Sequence, residues 1–119
     1  MEIFGCPDGN GCTYKESENI CKTVFGPSIP GKIFEPTSLS LQNAVLTASQ
    51  KAFGNYGFWI GVNVRDLTYK SNGKPVSINS IPWASRHSEE KRNSNSYCMF
   101  VYANVKRWTA VYHCIQTHS

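Results

Sequence analysis

The sequence has few charged residues and no long apolar run. Charged residues make up 17% of the 119 residues, and hydrophobic residues make up 40%. No apolar stretch approaches the roughly 18 residues that a membrane-spanning helix needs, so we expect no membrane span. Residues 1–5 also lack the basic start and apolar core of a secretory signal. The size and composition predict a single globular domain over residues 1–119.

Zinc-ligand spacings such as Cys-x-x-Cys are also missing. The histidines, His87, His113 and His118, form no ligand pattern with the cysteines, and we predict neither a metal ion nor a cofactor. Five cysteines in so small a domain are instead typical of an oxidising compartment. They are Cys6, Cys12, Cys21, Cys98 and Cys114. We therefore expect a disulfide-bonded protein that is secreted or extracellular, with a signal or the remainder of a longer chain absent from this sequence.

Acidic residues are scarcer than basic ones, and the net charge is +4. The basic residues of the second half are Lys70, Lys74, Arg86, Lys91, Arg92, Lys106 and Arg107. An excess of this kind promotes contact with anionic partners. The basic residues are not interleaved with aromatic ones as in single-strand-binding motifs, so we expect no nucleic-acid partner. Glycosylation sites are lacking too, because the tripeptides beginning at Asn93 and Asn95 do not match Asn-x-Ser/Thr.

Capping signals predict two helices in the first half. Thr13 and Glu16 match a capping box, in which each side chain accepts a hydrogen bond from the backbone N–H of the other residue. A second helix is predicted over residues 39–53, with Thr37 or Ser38 as its N-cap. Its apolar residues at helical spacing form the predicted buried stripe: Leu41, Ala44, Val45, Ala48 and Ala52.

Short apolar, β-branched and aromatic stretches predict the strands. They are residues 32–35, 57–64, 67–69, 76–78, 97–102 and 111–115. Asn72-Gly73 predicts a tight turn between the third and fourth of these stretches, because both residues tolerate positive φ. Residues 104–107 are predicted to turn between the last two. Two helices followed by short strands indicate an α+β fold.

In this order of elements the chain resembles a C-type lectin-like domain over nearly its whole length. The most specific match is Phe58-Trp59-Ile60-Gly61, which is similar to the Trp-Ile-Gly signature of that family. The other matching segments are residues 6–9, 18–21, 31–36, 72–76, 82–83, 97–99, 108 and 112–115. The resemblance implies two helices packed on short antiparallel β-sheets, a long loop region and structural disulfide bonds.

The resemblance also implies a disulfide pairing. Cys21 and Cys114 match the pair that ties the first helix to the last strand, while Cys6 and Cys12 enclose a turn-rich loop and are expected to pair with each other. Cys98 matches a cysteine whose usual partner is missing here, so we expect it to be unpaired within the chain. A buried free thiol is one interpretation of Cys98, and a disulfide to a second copy, giving a homodimer, is the other.

The polar stretch between Trp83 and Tyr97 matches the family's long loop region, which holds calcium and sugar in the members that bind them. Calcium needs about six to eight oxygen ligands, several of them carboxylates. The tripeptides Glu-Pro-Asn and Gln-Pro-Asp are absent, and Thr109 and Ala110 follow Trp108 in place of the usual Asn-Asp. The only acids of the stretch, Glu89 and Glu90, stand among three cations. Calcium-dependent sugar binding is therefore the least favoured interpretation.

Two interpretations of function remain, and both are calcium-independent. The first is an extracellular recognition module that binds a protein partner through residues 83–97, with Trp83 and Trp108 as an aromatic platform. The second is a binder of anionic glycan, mineral or matrix through the basic residues. A steep salt dependence would favour the second interpretation. The predicted ligand-binding residues are Trp83, Arg86, His87, Lys91, Arg92, Asn93, Asn95, Lys106, Arg107 and Trp108.

We predict that the chain is not an enzyme and has no catalytic residue. Cys114 and His113 are the nearest approach to a nucleophile–base pair. As neighbours in a predicted strand, they point to opposite faces, and no third group is placed to orient the imidazole.

Overall fold

The fold is α+β, as predicted from the sequence. The computed structural model describes residues 13–23, 28, 31–54, 57–84 and 97–112. Two helices precede the strands in this part of the chain. The elements are α1 (Tyr14–Thr23), α2 (Leu39–Phe53), β1 (Gly57–Trp59), β2 (Val62–Asn63), β3 (Thr68–Tyr69), β4 (Tyr97–Tyr102) and β5 (Arg107–Tyr112).

A central antiparallel sheet has the strand order β1-β4-β5, and β2 and β3 form a separate antiparallel pair. Side chains of the middle strand β4 alternate between the two faces of the sheet, as the period of a strand requires. Cys98 and Phe100 contribute to one buried cluster, whereas Met99 and Val101 contribute to another. The central sheet therefore separates two hydrophobic cores.

The larger core, here called the α2-side cluster, receives Leu46 from α2. Its members are Leu46, Ile60, Val62, Val64, Tyr69, Ile78, Met99, Val101, Ala103, Trp108 and Ala110. The smaller core, the α1-side cluster, receives Tyr14 from α1, and Cys21 packs against it. Its members are Tyr14, Ile33, Trp59, Cys98 and Phe100. Trp59 is 5% exposed and therefore belongs to the core.

Both predicted helix starts are confirmed. The Thr13 N–H donates to Glu16 Oε1 at 2.9 Å, and the Glu16 N–H donates to Thr13 Oγ1 at 3.1 Å, so the capping box is complete. Ser38 is the N-cap of α2, since its hydroxyl oxygen accepts from the Leu41 N–H at 3.1 Å. The predicted bounds of α2 are those observed.

The predicted buried stripe of α2 is wrong at its alanines. Ala44, Ala48 and Ala52 are exposed, and Leu41 is only partly buried. The buried residues are Gln42, Val45, Leu46 and Ser49, which follow i, i+3, i+4, i+7 spacing. Hydrophobicity favoured the alanines, but two polar residues occupy the face that meets the sheet.

Several predicted strands have different bounds. Residues 32–35 form no strand, although the Phe34 carbonyl accepts from the Gly61 N–H at 2.8 Å. The predicted strand 57–64 is divided into β1 and β2, because β1 pairs with β4 whereas β2 pairs with β3. The final strand begins at Arg107 rather than at 111, so the turn before it spans residues 103–106.

The predicted turn at Asn72-Gly73 is present, and Gly73 has a φ of 70°. The Tyr69 N–H donates to the Lys74 carbonyl at 2.9 Å across it. The predicted strand 76–78 is wrong, however, because β3 pairs with β2 and meets the returning chain only at a bridge between Thr68 and Pro75. A proline cannot donate to a ladder, which restricts pairing on that side.

The predicted cysteine pairing is wrong at both cysteines of the described residues. Cys98, expected to be unpaired, is disulfide-bonded. Cys21, expected to pair with Cys114, is a free thiol. A homodimer through a free Cys98 thiol is thereby removed, and the expected Cys6–Cys12 pair lies outside the described residues. A pairing taken from a family pattern fails here because sulfur positions in the fold, not the order of cysteines, decide which bond forms.

Candidate functional site

The chain segment that enters the polar stretch is hydrogen-bonded to β5. The Trp108 N–H donates to the Pro82 carbonyl, and the Ala84 N–H donates to the Trp108 carbonyl, each at 2.8 Å. These bonds make a parallel bridge between Trp83 and Trp108 on the side of β5 away from β4. The polar stretch therefore leaves from a point fixed to the central sheet and returns into β4 at Tyr97.

The two tryptophans meet at this base, but they differ in exposure. Their ring centroids are 6.4 Å apart at an interplanar angle of 80°, an edge-to-face arrangement. Trp83 is half-buried, whereas Trp108 is 0% exposed and belongs to the α2-side cluster. The predicted aromatic platform is therefore wrong at Trp108, whose ring supports Trp83 from below and offers no surface to a ligand.

A buried glutamine that sequence reasoning missed holds this base to α2. The Trp108 indole N–H donates a short hydrogen bond to Gln42 Oε1, and Gln42 Nε2 donates to the Lys106 carbonyl at 3.4 Å. Gln42 is 0% exposed, so its amide needs such partners. The sequence feature that could have identified Gln42 is its helical spacing from Val45, Leu46 and Ser49. That spacing defines the buried face whether its residues are polar or apolar.

Two predicted cationic residues flank the base. Lys106 and Arg107 are exposed, and Arg107 Nη1 donates to the Trp83 carbonyl at 3.3 Å. Lys106 has a φ of 56° in the turn between β4 and β5. Neither cation forms an ion pair with any residue of the described ranges. Their charge therefore faces solvent beside Trp83.

The remaining predicted ligand-binding residues fall in the stretch outside the described residues. They are Arg86, His87, Lys91, Arg92, Asn93 and Asn95. Of the ten predicted residues, the structure thus brings Trp83, Lys106 and Arg107 together at the surface and places Trp108 beneath them.

One basic residue next to β3, Lys70, lies against a different element. The Lys70 ammonium is 4.0 Å from the centre of the Tyr14 ring on α1, a cation–π contact. Burial lowers the pKa of Lys70, and the Glu18 carboxylate opposes this shift. Lys70 is therefore engaged with α1, whereas Lys106 and Arg107 stand at the base of the polar stretch.

Two titratable groups of the described residues with displaced pKa values, Tyr14 and Cys21, lie on α1. Burial raises the pKa of Tyr14, and the nearby Glu18, Glu35 and Cys21 add to the shift. Burial also raises the pKa of the Cys21 thiol, again with help from Glu18. The candidate site at Trp83 is thus a site of shape, aromatic surface and fixed cationic charge.

The described part of the chain offers neither a metal-binding cluster nor a membrane-spanning helix. Within the described ranges, no group of three or more Asp, Glu, His or Cys residues is arranged to hold a metal ion. Neither described helix has the length and apolar character that a bilayer crossing requires.

No protein-family model matches the chain, and no curated protein matches it significantly.

Proposed function

We propose that this chain is a calcium-independent, extracellular recognition domain of C-type lectin-like architecture, which binds a protein partner through the face presented by residues 83–97. The observation that carries the proposal is the fixed base of that stretch. Ala84 is bonded to β5, and Tyr97 starts β4 of the same sheet. A stretch anchored at both ends to a rigid scaffold is where binding residues concentrate.

The order of elements supports the architecture. Two helices precede the strands, and the Trp59-Ile60-Gly61 segment lies at the end of β1, where Trp59 and Ile60 are buried in opposite cores. Gly61 also lies close to other chain segments, because a Cβ added there would stand 2.9 Å from Glu35 Cγ. The interior position of these three residues supports the proposed architecture.

The side chains at the base suit a protein partner. Trp83 presents a partly exposed ring, and Arg107 is held beside it by the hydrogen bond to the Trp83 carbonyl. Tryptophan and arginine are the residue types most enriched among the energetically dominant positions of protein interfaces. The proposal includes no catalytic step.

An anionic glycan or matrix ligand is the second candidate. It is favoured by one specific observation, the adjacent exposed cations Lys106 and Arg107, which have no ion-pair partner among the described residues. Binding that depends on such charges weakens steeply as salt is added, whereas an interface centred on a tryptophan does not.

The experiment compares the native chain with a variant in which residues 85–96 are replaced by a Gly/Ser linker of equal length. Both are applied to an array of extracellular protein domains and to a glycan array, each with calcium and with a chelator. We expect the native chain to bind a protein domain equally under both conditions, and the variant to lose that binding while keeping its melting temperature. Calcium-dependent glycan binding, or protein binding that survives the replacement, would contradict the proposal.

A heparin column separates the second candidate from the first. The double variant Lys106→Ala/Arg107→Ala is compared with Lys51→Ala, which removes an exposed cation from the last turn of α2. If the protein interpretation holds, the native chain elutes from heparin at or below about 0.15 M salt. Strong retention that only the double variant abolishes would transfer the function to an anionic glycan.

A further inference from the structure

The two cysteines of the described residues differ in redox state and belong to the same side of the central sheet, at the α1-side cluster. Cys98 is disulfide-bonded, is 8% exposed and is a member of the α1-side cluster. Cys21 is a free, partly buried thiol on α1, and it packs against that same cluster. A nucleophilic sulfur and an electrophilic sulfur thus border one core.

We propose that Cys21 is an internal nucleophile for thiol–disulfide exchange at Cys98. The Cys21 thiol gives its proton to solvent, and the resulting thiolate attacks the Cys98 sulfur. A Cys21–Cys98 bond forms as the existing S–S bond breaks, and its electron pair leaves on the sulfur formerly bonded to Cys98, which takes a proton from solvent. One disulfide and one thiol are present before and after, so no external oxidant or reductant is consumed.

The position of Cys21 on its helix permits the approach. It lies in the last turn of α1, which ends at Thr23, and terminal turns of helices fray. Its carbonyl accepts from the Gly31 N–H at 2.9 Å, and a Cβ at Gly31 would stand only 2.6 Å from that oxygen. Gly31 therefore fixes the position of the Cys21 backbone, and the proposed attack requires movement of the Cys21 side chain only.

The surroundings of Cys21 keep the exchange slow near neutral pH. Burial and the Glu18 carboxylate raise the pKa of the Cys21 thiol, so little of the reactive thiolate is present. Among the described residues, Tyr14 on the same helix and Tyr102 on β4 also belong to or pack against this cluster, Glu35 acts on Tyr14, and Lys70 lies over the Tyr14 ring. The Cys98 disulfide therefore persists while Cys21 is protonated and exchanges when the Cys21 thiol ionises.

The test uses the full native chain without denaturant, oxidant or reductant. Samples are incubated at about pH 7 and about pH 9, alkylated in acid, and mapped as non-reduced peptides by mass spectrometry. We expect a Cys21–Cys98 peptide to accumulate, together with an equal amount of newly alkylated partner, about tenfold faster for each pH unit below the thiol pKa. Recovery of Cys21 as an alkylated thiol at both pH values, or its bonding to a cysteine other than Cys98, would overturn the proposal.

Two further samples identify the attacking sulfur. Native chain alkylated at Cys21 before incubation, and the Cys21→Ser variant, should both keep the original Cys98 bond at high pH. Rearrangement of that bond in either sample would mean that another thiol attacks it. Glu18→Gln should speed the exchange by about two- to threefold at fixed pH, because the thiol ionises more readily. Asp66→Asn, an equal loss of charge in the turn between β2 and β3, should leave the rate unchanged, and equal rates in both variants would count against Cys21.

Discussion

The two faces of the central sheet bury polar groups of different kinds. On the α2 side these include an amide, an indole and a phenol with hydrogen-bond partners, as in the contacts of Gln42 with Trp108 and of Tyr69 Oη with the Pro36 carbonyl at 2.6 Å, although Asn43 Oδ1 of α2 is buried without one. On the α1 side they are ionisable groups whose pKa values are displaced, Tyr14 and Cys21. We therefore expect the stability of the α2 side to depend on its hydrogen-bond partners. We expect the α1 side to respond to a change of pH or redox state.

The position of the proposed binding face follows from this difference. The polar stretch begins from the α2-side cluster, at the strand bridge between Trp83 and Trp108, where satisfied hydrogen bonds fix the geometry. The reactive thiol lies on the other face of the sheet. A recognition surface on the first face can keep its shape while the second face changes protonation.

The largest expected effect tests the firmness of the α2 side. Trp108→Ala should lower the free energy of unfolding by about 3–5 kcal/mol, because it removes a fully buried ring and deprives Gln42 Oε1 of its indole donor. Trp83→Ala, which removes the half-buried ring above it, is the matched control and should cost clearly less. Denaturant unfolding measures both losses of stability. Equal losses would mean that the two rings are equally buried in solution.

The next effect isolates the hydrogen bonds from the ring. Gln42→Leu keeps the side chain's approximate volume but leaves the Trp108 indole N–H and the Lys106 carbonyl unpaired, at a cost of about 1–3 kcal/mol. In a double-mutant cycle with Trp108→Phe, part of this cost should disappear, since the phenyl ring has no N–H to satisfy. Strict additivity of the two changes would show that the hydrogen bond contributes nothing to stability.

Local signals in the sequence were enough for the helices. The capping box at Thr13 and the N-cap at Ser38 involve residues only three positions apart, so spacing reveals them. The extent of β4 was equally visible as an apolar run. Contacts between distant segments could not be predicted from local spacing. Gln42 and Trp108 are 66 positions apart, and their hydrogen bond explains why the polar Gln42, and not the predicted alanines, lies on the buried face of α2.

The candidate site was predictable in part for the same reason. Trp83, Lys106 and Arg107 were identified by residue type and converge at the base of the polar stretch. The burial of Trp108 and the bonding of Cys98 depend on which strands neighbour each other, and sequence spacing does not determine that. Cys98 was predicted on the correct strand, whereas Trp108 fell between the predicted strands, and the roles expected for both residues were wrong.

A smaller effect compares the two helices directly. Ser38→Ala removes the N-cap of α2, and Thr13→Ala opens the capping box of α1; each should lower stability by about 1 kcal/mol. The stability changes should be alike, but Thr13→Ala should also loosen α1 and so accelerate alkylation of Cys21, whereas Ser38→Ala should not. Thermal unfolding and timed alkylation measure the two outcomes. Equal alkylation rates in both variants would show that access to Cys21 does not depend on the start of α1.

The smallest effect is confined to alkaline pH and tests the titratable character of the α1 side. Burial, with Glu18 and Glu35, raises the pKa of Tyr14 above its ordinary value of 10.0, so the folded chain keeps the phenol proton where the unfolded chain releases it. The stability from this group is fully present below about pH 10 and is lost as the pH rises further. Tyr14→Phe keeps the ring beside Trp59 and Lys70, so it should leave the melting temperature near neutral pH almost unchanged and make its alkaline fall shallower.

The effect of Lys70 has the opposite sign. Burial lowers the pKa of Lys70, so stability is gained as that ammonium loses its proton, and Lys70→Met should make the alkaline fall of the melting temperature steeper. Melting curves between about pH 8 and pH 11 decide the matter, and identical slopes for the native chain and Tyr14→Phe would remove the distinction between the two faces of the sheet.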